Sequence, residues 1–375
     1  MKIAIISSVH RWDDTRIFFR QASSLARRHD VELHAPAPFQ YKVVNNVKVF
    51  GLHKWEKEVD RIKLWIILFY RMLKSNASVV HFHDPELIPL AFFLKIITGK
   101  KIIYDVHEHI LNDIEDKEWI PPLLRGMVSS IFKLVERICV PIFDTVVYTT
   151  RIVGKRYQSL AKQAVSIENY PKISMFKNKV SSDNQILKND IIYLGRVFYV
   201  RGVEEVIRSW PAVIEKYPDA RFLIVGDIVP ESYENQLKQI AKDLNLESHI
   251  IFCGFVKYDA VGEYLNKALA GIVTFLPYKN NMSCLPNKLF EYMASSIPVI
   301  ASDFPLYREI VESSQCGTLI NPTDTTQLSE AVVNLLQNKD TALKMGQSGR
   351  KSFLEKFCWE KEEHKLFQIY ENFEI

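Results

Sequence analysis

The chain has 375 residues, of which 47% are hydrophobic and 25% are charged. This length exceeds what one hydrophobic core usually organises, and the apolar content can fill two, so the composition excludes a disordered chain and predicts two domains. The five cysteines are odd in number and form no C-x-x-C pair, which argues against both a disulfide framework and a cysteine zinc site.

The net charge of +4 is unevenly distributed. Residues 1–168 contain 25 Lys and Arg against 18 Asp and Glu, a net of +7, and the remainder has a net of −3. A basic half suits nucleic acid or anionic lipid, but its charges are not interleaved with aromatic residues as in proteins that stack on bases. We therefore expect an anionic membrane surface as a partner, and no nucleic acid.

Apolar strand patterns alternate with helical ones in the first half, which predicts a parallel sheet covered on both faces. The expected strands are residues 3–7, 31–35, 79–82, 101–105 and 145–149. The first helix should begin at an Asp13 or Asp14 cap and turn apolar side chains inward. The inward side chains would be Phe18, Ala22 and Leu25.

Two basic amphipathic segments occur in this half. Residues 61–74 place Lys63, Arg71 and Lys74 on one arc of a helical wheel, which predicts a helix lying on a bilayer. The opposite arc contains Ile62, Trp65, Phe69 and Leu73. Leu64 and Ile67 interrupt the polar arc, so a core helix with snorkelling basic side chains is the alternative. The second candidate covers residues 121–137.

The second half repeats the alternating pattern and predicts a second parallel sheet. Its expected strands are residues 191–194, 221–225, 250–253, 271–275 and 298–301. Polar residues 172–190 form the expected linker, and residues 359–373 the last helix. No stretch approaches ~20 apolar residues, and Met1 and Lys2 lead directly into a strand, which predicts neither membrane span nor signal peptide and hence a cytoplasmic protein.

Residues 283–294 have the pattern of a nucleotide-diphosphate site. Pro286 suits the first helical position because it lacks an N–H, and the next amides would then be free to meet an anion at the positive helix end. These amides belong to Asn287, Lys288 and Leu289. Glu291 falls on the same helix face as Lys288, where a ribose diol would lie. An ordinary amphipathic helix is the alternative.

A second cluster follows the strand at residues 191–194, where Gly195 and two arginines precede a helix. Arginine binds diphosphates well because its planar fork donates hydrogen bonds in pairs. Arg196 and Arg201 therefore indicate a phosphate site, with two solvated surface arginines as the alternative. Open parallel sheets bind ligands beyond the carboxyl ends of their strands, which is where both clusters fall.

Together these runs resemble the family-4 retaining glycosyltransferases of the GT-B fold. Further motifs in the same order are Ser7-Ser8-Val9-His10, Asp14-Thr15-Arg16-Ile17-Phe18, His83-Asp84-Pro85-Glu86-Leu87, Tyr104-Asp105-Val106-His107-Glu108, Glu168-Asn169-Tyr170-Pro171, and Phe304-Pro305 before Arg308-Glu309-Ile310. The chain is most similar to the bacterial branch that builds O-antigen, capsule and exopolysaccharide.

The resemblance implies an α/β GT-B fold, in which two Rossmann-like, doubly wound parallel-sheet domains face each other across a cleft. Residues 1–170 would bind the acceptor and residues 171–358 the nucleotide sugar. The helix at residues 359–375 would pack back on the first domain. The implied partners are a nucleotide sugar, a lipid-linked saccharide and the inner face of the plasma membrane, to which the enzyme would attach peripherally.

The same resemblance assigns the site residues. The catalytic candidates are His107, Arg196, Arg201, Lys288 and Glu291. His107 would contact the donor sugar near its reacting carbon, or else cap the next helix. The donor-binding candidates are Gly195, Gly226, Phe255, Val256, Ser283, Cys284, Leu285, Pro286, Asn287 and Leu289, with Cys284 a small packing residue inside the site.

Acceptor contacts are expected at the ends of the first-domain strands. The candidates are His10, Arg16, His83 and Asp84. Asp84 precedes Pro85 and could instead form a turn, and Arg16 could instead pair with Asp14 at the start of the first helix.

Three departures from the family pattern stand out. Ser283 replaces the first of two glutamates seven residues apart, which leaves the identity of the sugar open. Arg201 replaces the usual lysine five residues after the arginine, which keeps the charge and alters the hydrogen-bond geometry. Residues 7–12 contain no glycine, so the acceptor contacts of a glycine-rich loop do not carry over.

The chain contains no D-x-D triplet to hold a divalent cation, so we expect metal-independent transfer with no cofactor. Arg196, Arg201, Lys288 and the helix end would neutralise the leaving diphosphate. No clear pair of acids suggests a covalent route, and the resemblance implies front-face attack, with the departing phosphate oxygen taking the acceptor proton. The resemblance also implies that the base lies against the main chain of residues 254–256, which suits a uracil edge and favours a UDP-sugar, with GDP-mannose as the alternative.

Two other functions compete with a glycosyltransferase acting on a polyprenyl-diphosphate-linked saccharide. The first is a GT-B epimerase that eliminates UDP and rehydrates the sugar, which Ser283 disfavours because that chemistry needs carboxylates at the anomeric site. The second is a non-catalytic scaffold subunit that binds a nucleotide sugar without turnover.

Overall fold

The computed structural model describes residues 1–53, 58–106, 110–111, 121–176, 189–256 and 260–374. The chain forms two compact units, Met1–Asn169 with Trp359–Ile375 (unit 1) and Tyr170–Cys358 (unit 2). The predicted site residue His107 and residues 177–188 of the predicted linker lie outside the described residues. In the part of the chain that is described, no helix is long and apolar enough to cross a bilayer.

Unit 1 is built on a sheet whose eight described strands lie in the order β3-β4-β2-β1-β5-β6-β7-β8, parallel throughout except for β3. The strands are β1 Lys2–Ile6, β2 Asp30–Pro36, β3 Tyr41–Val44, β4 Val47–Leu52, β5 Val79–Phe82, β6 Lys101–Val106, β7 Thr145–Tyr148 and β8 Ala164–Ser166. The sequence pattern did not predict β3, β4 or β8. The β3–β4 hairpin turns through Asn45 and Asn46, both at positive φ, a two-residue turn that asparagine tolerates.

The first helix confirms the predicted cap. The Asp14 carboxylate accepts hydrogen bonds from the amides of Arg16 at 2.8 Å and Ile17 at 2.9 Å, which satisfies donors that have no intrahelical acceptor. The helix is π-helical over Thr15–Ala22 and continues as α1, Ser23–Leu25. The later helices of unit 1 are α2 Glu58–Lys74, α3 Ile88–Thr98, α4 Pro122–Cys139, α5 Arg151–Tyr157 and, at the end of the chain, α14 Trp359–Glu371.

The two faces of this sheet carry separate cores, because successive side chains of a strand alternate between faces. Ala4 and Ile6 of β1 pack with buried side chains of α2, α3 and α4. Ile3 and Ile5 pack with Phe18 of the first helix and with α14. Helices α2, α3 and α4 thus form one layer, and the first helix and α14 contribute to the other.

Helix α2 differs from the helical-wheel prediction. Leu64, assigned to the polar arc, is buried together with Leu68 and Met72, whereas Ile62 and Leu73, assigned to the apolar arc, are exposed. The predicted division into two arcs was therefore wrong at these positions. A helix with apolar residues all round cannot reveal from its sequence alone which of them face the sheet.

Unit 2 contains an all-parallel sheet in the order β11-β10-β9-β12-β13-β14 within the described residues. Its strands are β9 Asp190–Leu194, β10 Arg221–Val225, β11 Ile250–Gly254, β12 Ala268–Val273, β13 Val299–Ser302 and β14 Gly317–Ile320, of which the last was missed. Its helices are α6 Val203–Lys216, α7 Glu231–Asp243, α8 Val261–Lys267, α9 Lys279–Ser283, α10 Asn287–Ala294, α11 Pro305–Ser314, α12 Thr325–Gln337 and α13 Lys339–Lys356. Both sheets support the predicted α/β class.

The predicted linker was too long at both ends. Phe176, in the short 3₁₀ turn Ile173–Phe176, is buried in the unit 2 core, and Asp190 already belongs to β9. Both residues are therefore part of the folded unit.

Candidate functional site

The carboxyl ends of β9 and β10 meet at two glycines. The Gly195 amide donates to Val225 O at 2.8 Å, and both Gly195 and Gly226 have positive φ, at 101° and 144°. A Cβ at Gly226 would lie 2.3 Å from Gly195 O, a separation too short for a Cβ atom in a folded protein. This close backbone approach requires glycine and leaves the strand ends uncovered by side chains.

Lys288 lies over this strand end. It belongs to the first turn of α10, is only 9% exposed, and places its ammonium 3.4 Å from the centroid of the Tyr193 ring. The same ammonium is 5.2 Å from the centroid of the Phe275 ring, and the Arg201 guanidinium is 4.1 Å from that centroid. A Cβ at Gly195 would lie 3.8 Å from the Lys288 Nζ. Two cations from distant parts of the sequence thus share one aromatic ring.

The electrostatics of this pair favour an anion. Burial lowers the pKa of Lys288 well below its usual value, the Arg201 charge lowers it further, and the Glu291 carboxylate raises it. Aromatic faces supply only part of the solvation that a buried ammonium loses. An anion beside Lys288 and Arg201 would replace the lost solvation with charge-assisted hydrogen bonds.

The start of α10 differs from its prediction in two respects. Pro286 is the cap residue and Asn287 the first helical residue, so the helix begins one position later than expected. The Leu289 amide donates to Pro286 O at 3.1 Å, and its side chain is fully buried, so its assignment as a free donor was wrong. The amides of Asn287 and Lys288 are the ones without an intrahelical acceptor.

The residues before α10 are held by local hydrogen bonds. Ser283 is buried and its Oγ donates to Lys279 O at 2.7 Å, and Cys284 Sγ lies 3.6 Å from Asn281 O. Asn281 Nδ2 donates to Val200 O at 3.0 Å and to Leu276 O at 2.9 Å. Asn281 thereby ties this corner to the loop that carries Arg201. Sequence reasoning missed it, and nothing in its neighbours signals the role.

Arg196 and Phe255 are more exposed than Lys288. The Arg196 side chain is solvent-exposed, and its carbonyl accepts a hydrogen bond from Tyr193 Oη at 3.1 Å. Phe255 is 71% exposed, and Val256 is half-buried against the unit 2 core. The Gly226 amide donates to Gly254 O at 2.9 Å, which places the turn carrying Phe255 next to the glycine pair. Leu285 is half-buried against the same core.

In unit 1, the Asp84 carboxylate organises the loop after β1. It accepts hydrogen bonds from the Ser8 amide at 2.6 Å and from Ser7 Oγ at 2.9 Å, and His10 Nε2 lies 3.4 Å from its second oxygen. Asp84 is 2% exposed and His10 is half-buried. Of these two acceptor candidates, only His10 reaches solvent to a substantial extent, and Asp84 positions the loop that carries it.

Arg16 makes a buried ion pair that the sequence did not reveal. Its Nη2 and Nε donate to the two oxygens of Asp105 at 2.9 and 3.1 Å, and Gln21 Nε2 donates to the same carboxylate at 2.5 Å. The Arg16 side chain therefore pairs with Asp105, and Arg16 pairs with Asp14 at the helix start through its backbone amide. Asp105 lies within the motif of residues 104–108, whose pattern does not predict this pairing.

Two buried histidines border the same carboxylate. His83 Nδ1 lies 3.5 Å and His81 Nε2 3.7 Å from Asp105 Oδ2, the rings are stacked, and the other nitrogen of His81 is 2.8 Å from Tyr370 Oη. Such a trio could hold a metal ion. Because the Arg16 guanidinium already neutralises the carboxylate, the trio forms a charge-compensated buried cluster in which His83 is an interior member.

Glu168, next to the unit boundary, has a strongly shifted pKa. Burial, followed by the charge of Glu362, raises the pKa of Glu168 to about 8, while Arg16 opposes the shift. The Glu168 amide donates to Glu362 Oε2 at 2.9 Å. Glu168 therefore retains its proton near neutral pH.

Part of the chain is similar to a known protein family. Residues 174–352 match the family described as glycosyl transferases group 1. N-acetyl-alpha-D-glucosaminyl L-malate synthase of Bacillus anthracis is 28% identical over 171 residues, which span 46% of this chain and 42% of that protein. Phosphatidyl-myo-inositol mannosyltransferase of Mycobacterium leprae is 23% identical over 330 residues, or 83% of this chain and 76% of that protein.

Solved structures extend the similarity along the whole chain. Sucrose-phosphate synthase of Thermosynechococcus elongatus superposes with a TM-score of 0.79 at 17% identity, covering 100% of this chain and 99% of that one. Anabaena HepE in complex with UDP superposes with a TM-score of 0.74 at 14% identity, covering 99% and 100%. The fold is GT-B, as the sequence predicted.

Proposed function

We propose that the protein is a retaining glycosyltransferase that uses a nucleotide-diphosphate sugar, a proposal supported by the match of residues 174–352 to the group 1 glycosyl transferases. Unit 2 binds the donor and unit 1 the acceptor. The acceptor is a lipid-linked saccharide of bacterial surface polysaccharide synthesis, reached by a cytoplasmic enzyme at the inner face of the membrane.

One observation carries the donor assignment. The buried Lys288 ammonium and the Arg201 guanidinium flank the Phe275 ring, and the Lys288 pKa is lowered in the absence of an anion. Holding two like charges together costs folding free energy, and a diphosphate offsets that cost on binding. Such a trade of stability for binding is typical of functional sites.

Each side chain then has a distinct role. Arg201 and Lys288 bind the diphosphate, assisted by the Asn287 and Lys288 amides, and Arg196 approaches from solvent. Glu291, buried one turn further along α10, accepts hydrogen bonds from the ribose. His107 is assigned to the donor sugar by the family resemblance alone.

In the transfer step, the bond from the anomeric carbon to the diphosphate oxygen breaks as the acceptor oxygen attacks from the same face. The departing phosphate oxygen takes the acceptor proton, so the diphosphate serves as both leaving group and base. Lys288 and Arg201 stabilise the negative charge that develops on it. No divalent cation is required in this scheme, because fixed cations supply the neutralisation.

We favour a UDP-sugar as the donor. The backbone at Gly226 and Gly254 lies beside the diphosphate site and offers main-chain groups to a uracil edge, and a GT-B structure of the same fold contains UDP. GDP-mannose is the alternative donor, in keeping with a mannosyltransferase among the relatives.

The decisive experiment incubates the protein with a panel of UDP- and GDP-sugars and follows slow donor hydrolysis with and without EDTA. Hydrolysis of one donor, unaffected by EDTA, supports a metal-independent transferase and names the sugar. Appearance of an epimerised sugar would support the epimerase, and binding without turnover of any donor would support the scaffold. A trapped glycosyl-enzyme adduct would contradict front-face attack.

A further inference from the structure

Helix α3, Ile88–Thr98, is apolar on the face that points away from the sheet. Ile88, Ala91 and Leu94 pack into the core, yet Phe93 is 54%, Ile96 62% and Ile97 61% exposed. A helix that covers a sheet normally presents polar residues to solvent, and one that is apolar all round is normally buried.

The one charged residue of α3 does not interrupt this outer face. Lys95 Nζ donates to Lys100 O at 3.1 Å and to the Asp144 carboxylate at 2.7 Å. These partners lie in the chain segments that follow α3 and precede β7. The Lys95 ammonium is therefore paired at the end of the helix. Phe93, Ile96 and Ile97 form a continuous apolar strip.

The two neighbouring helices extend that strip. Helix α3 contacts α2 on one side and α4 on the other. On α2, exposed Ile62, Ile66, Tyr70 and Leu73 recur at spacings of four, four and three residues. On α4, exposed Met127, Ile131, Leu134 and Ile138 recur at spacings of four, three and four. We call the combined outer surface of α2, α3 and α4 the three-helix face.

The charges on this face are predominantly basic and lie on its flanks. Lys63 and Lys74 of α2 and Lys133 and Arg137 of α4 are exposed. Helix α3 has no acidic residue, and Glu136, the one acidic residue of α4, is fully buried. On α2, Asp60 pairs with Lys63 at 3.0 Å. The face thus has an apolar centre and cationic flanks.

We propose that the three-helix face docks unit 1 onto a lipid bilayer rich in anionic lipids. The strip on α3 enters the boundary between headgroups and acyl chains, and the flanking lysines and arginine bind lipid phosphates. A contiguous exposed apolar surface that spans three neighbouring helices is typical of an interaction site. A second copy of the chain would bring cationic flanks together, whereas an anionic bilayer complements both the centre and the flanks.

This inference deepens the proposed function. It rests on that function in one respect, namely that the sugar acceptor lies at a membrane. Docking itself requires neither donor nor turnover. Lipid binding is therefore measured without a sugar nucleotide, and UDP binding is measured in parallel without lipid, so that failure of one leaves the other standing.

The test is co-sedimentation of the full-length protein with vesicles of phosphatidylcholine alone or mixed with phosphatidylglycerol. We expect strong binding to the mixed vesicles, weakened by added salt because the lipid charges are screened. Phe93→Ser with Ile97→Ser should reduce binding at least tenfold, since each removes exposed apolar area from the centre of the face. Lys133→Gln with Arg137→Gln should reduce it about tenfold or more on mixed vesicles only.

Matched controls lie in unit 2. Leu354→Ser and Lys351→Gln change an exposed apolar and an exposed basic residue elsewhere and should leave vesicle binding unchanged. The melting temperature and UDP affinity of every variant should match those of the parent protein. Equal vesicle binding by the parent and the Phe93/Ile97 variant would overturn the proposal. So would a concentration-dependent dimer, seen by analytical ultracentrifugation, that the same variant abolishes.

Discussion

The Lys288 ammonium lies 3.4 Å from the centroid of the Tyr193 ring, in a position that is almost closed to solvent. Burial, followed by the nearby Arg201 charge, lowers the pKa of Lys288. The ring stabilises the cation without neutralising it. Burying the Lys288 ammonium consequently lowers the free energy of unfolding. Replacing Lys288 should therefore increase stability and weaken ligand binding.

Lys288→Met should raise the melting temperature and weaken UDP binding. The substitution keeps an unbranched side chain of similar length and removes a desolvated charge, so the free energy of unfolding rises. UDP loses a charge-assisted hydrogen bond, which is typically worth about 1.5–3 kcal/mol, or roughly ten- to a hundredfold in Kd. Differential scanning calorimetry and isothermal titration calorimetry measure the two effects.

The control for this substitution is Lys351→Met, which removes an exposed lysine from the same unit. It should leave UDP affinity and melting temperature nearly unchanged. A Lys288→Met protein that is less stable and still binds UDP normally would show Lys288 to be a structural residue and would remove the basis of the site assignment.

Nucleotide binding should be linked to proton uptake through Lys288. The pKa of Lys288 is lowered in the unliganded protein, and a bound diphosphate raises it, so UDP affinity declines as the pH rises from the unliganded towards the liganded pKa. Calorimetry above pH 8, where a phosphate group with a pKa near 6 is fully ionised, avoids titration of the ligand. Titrations in buffers of different ionisation enthalpy should show uptake by the parent protein and none by Lys288→Met.

Replacing Arg196 or Glu291 should also weaken UDP binding. Arg196→Gln removes an exposed guanidinium and should raise Kd about tenfold or less, whereas Glu291→Gln alters a buried group beside Lys288 and should have the larger effect. Exposed Arg208, which pairs with Glu204, provides the control as Arg208→Gln. Unchanged affinity in both Arg196→Gln and Glu291→Gln would refute their assignment.

Breaking the Arg16–Asp105 pair should destabilise unit 1 without affecting UDP binding by unit 2. Asp105→Asn leaves a buried guanidinium without its counter-charge, which typically costs about 3–5 kcal/mol. Asp13→Asn breaks the exposed pair of Arg11 and Asp13 and should cost at most about 1 kcal/mol. Urea unfolding monitored separately for the two units distinguishes the cases, and equal losses in both variants would contradict a buried role for Asp105.

The contribution of Glu168 to the stability of unit 1 should decrease from acidic to mildly alkaline pH. The pKa of Glu168 is about 8 in the folded protein and near 4.5 when unfolded, so its contribution to stability is fully present below 4.5 and is lost as the pH rises through 8. Glu168→Gln cannot ionise and should show a shallower decline in melting temperature from pH 5 to 9. Exposed Glu355 is the control as Glu355→Gln, and parallel profiles for parent and Glu168→Gln would contradict the shifted pKa.

Local patterns in the sequence predicted most strands, the Asp14 cap and the positions of Lys288 and Glu291 on one helix. These features depend on the periodicity of neighbouring residues and on backbone groups within a single turn, which the sequence specifies directly. The sequence did not predict β3, β4, β8 or β14, three of which (β3, β8 and β14) are edge strands. Short strands with few core side chains give weak periodic signals.

Only the tertiary structure paired Arg16 with Asp105, 89 residues away, and placed Arg201 and Lys288 against the same Phe275 ring. Such partners are chosen by where strands end within a sheet, and no local spacing encodes that. The structure likewise decided which side of α3 faces the core, since a helix with apolar residues on every side gives no preference in its sequence. What the sequence determined was the chemistry available to each segment, and packing decided which groups are buried, which are paired and which remain exposed to bind.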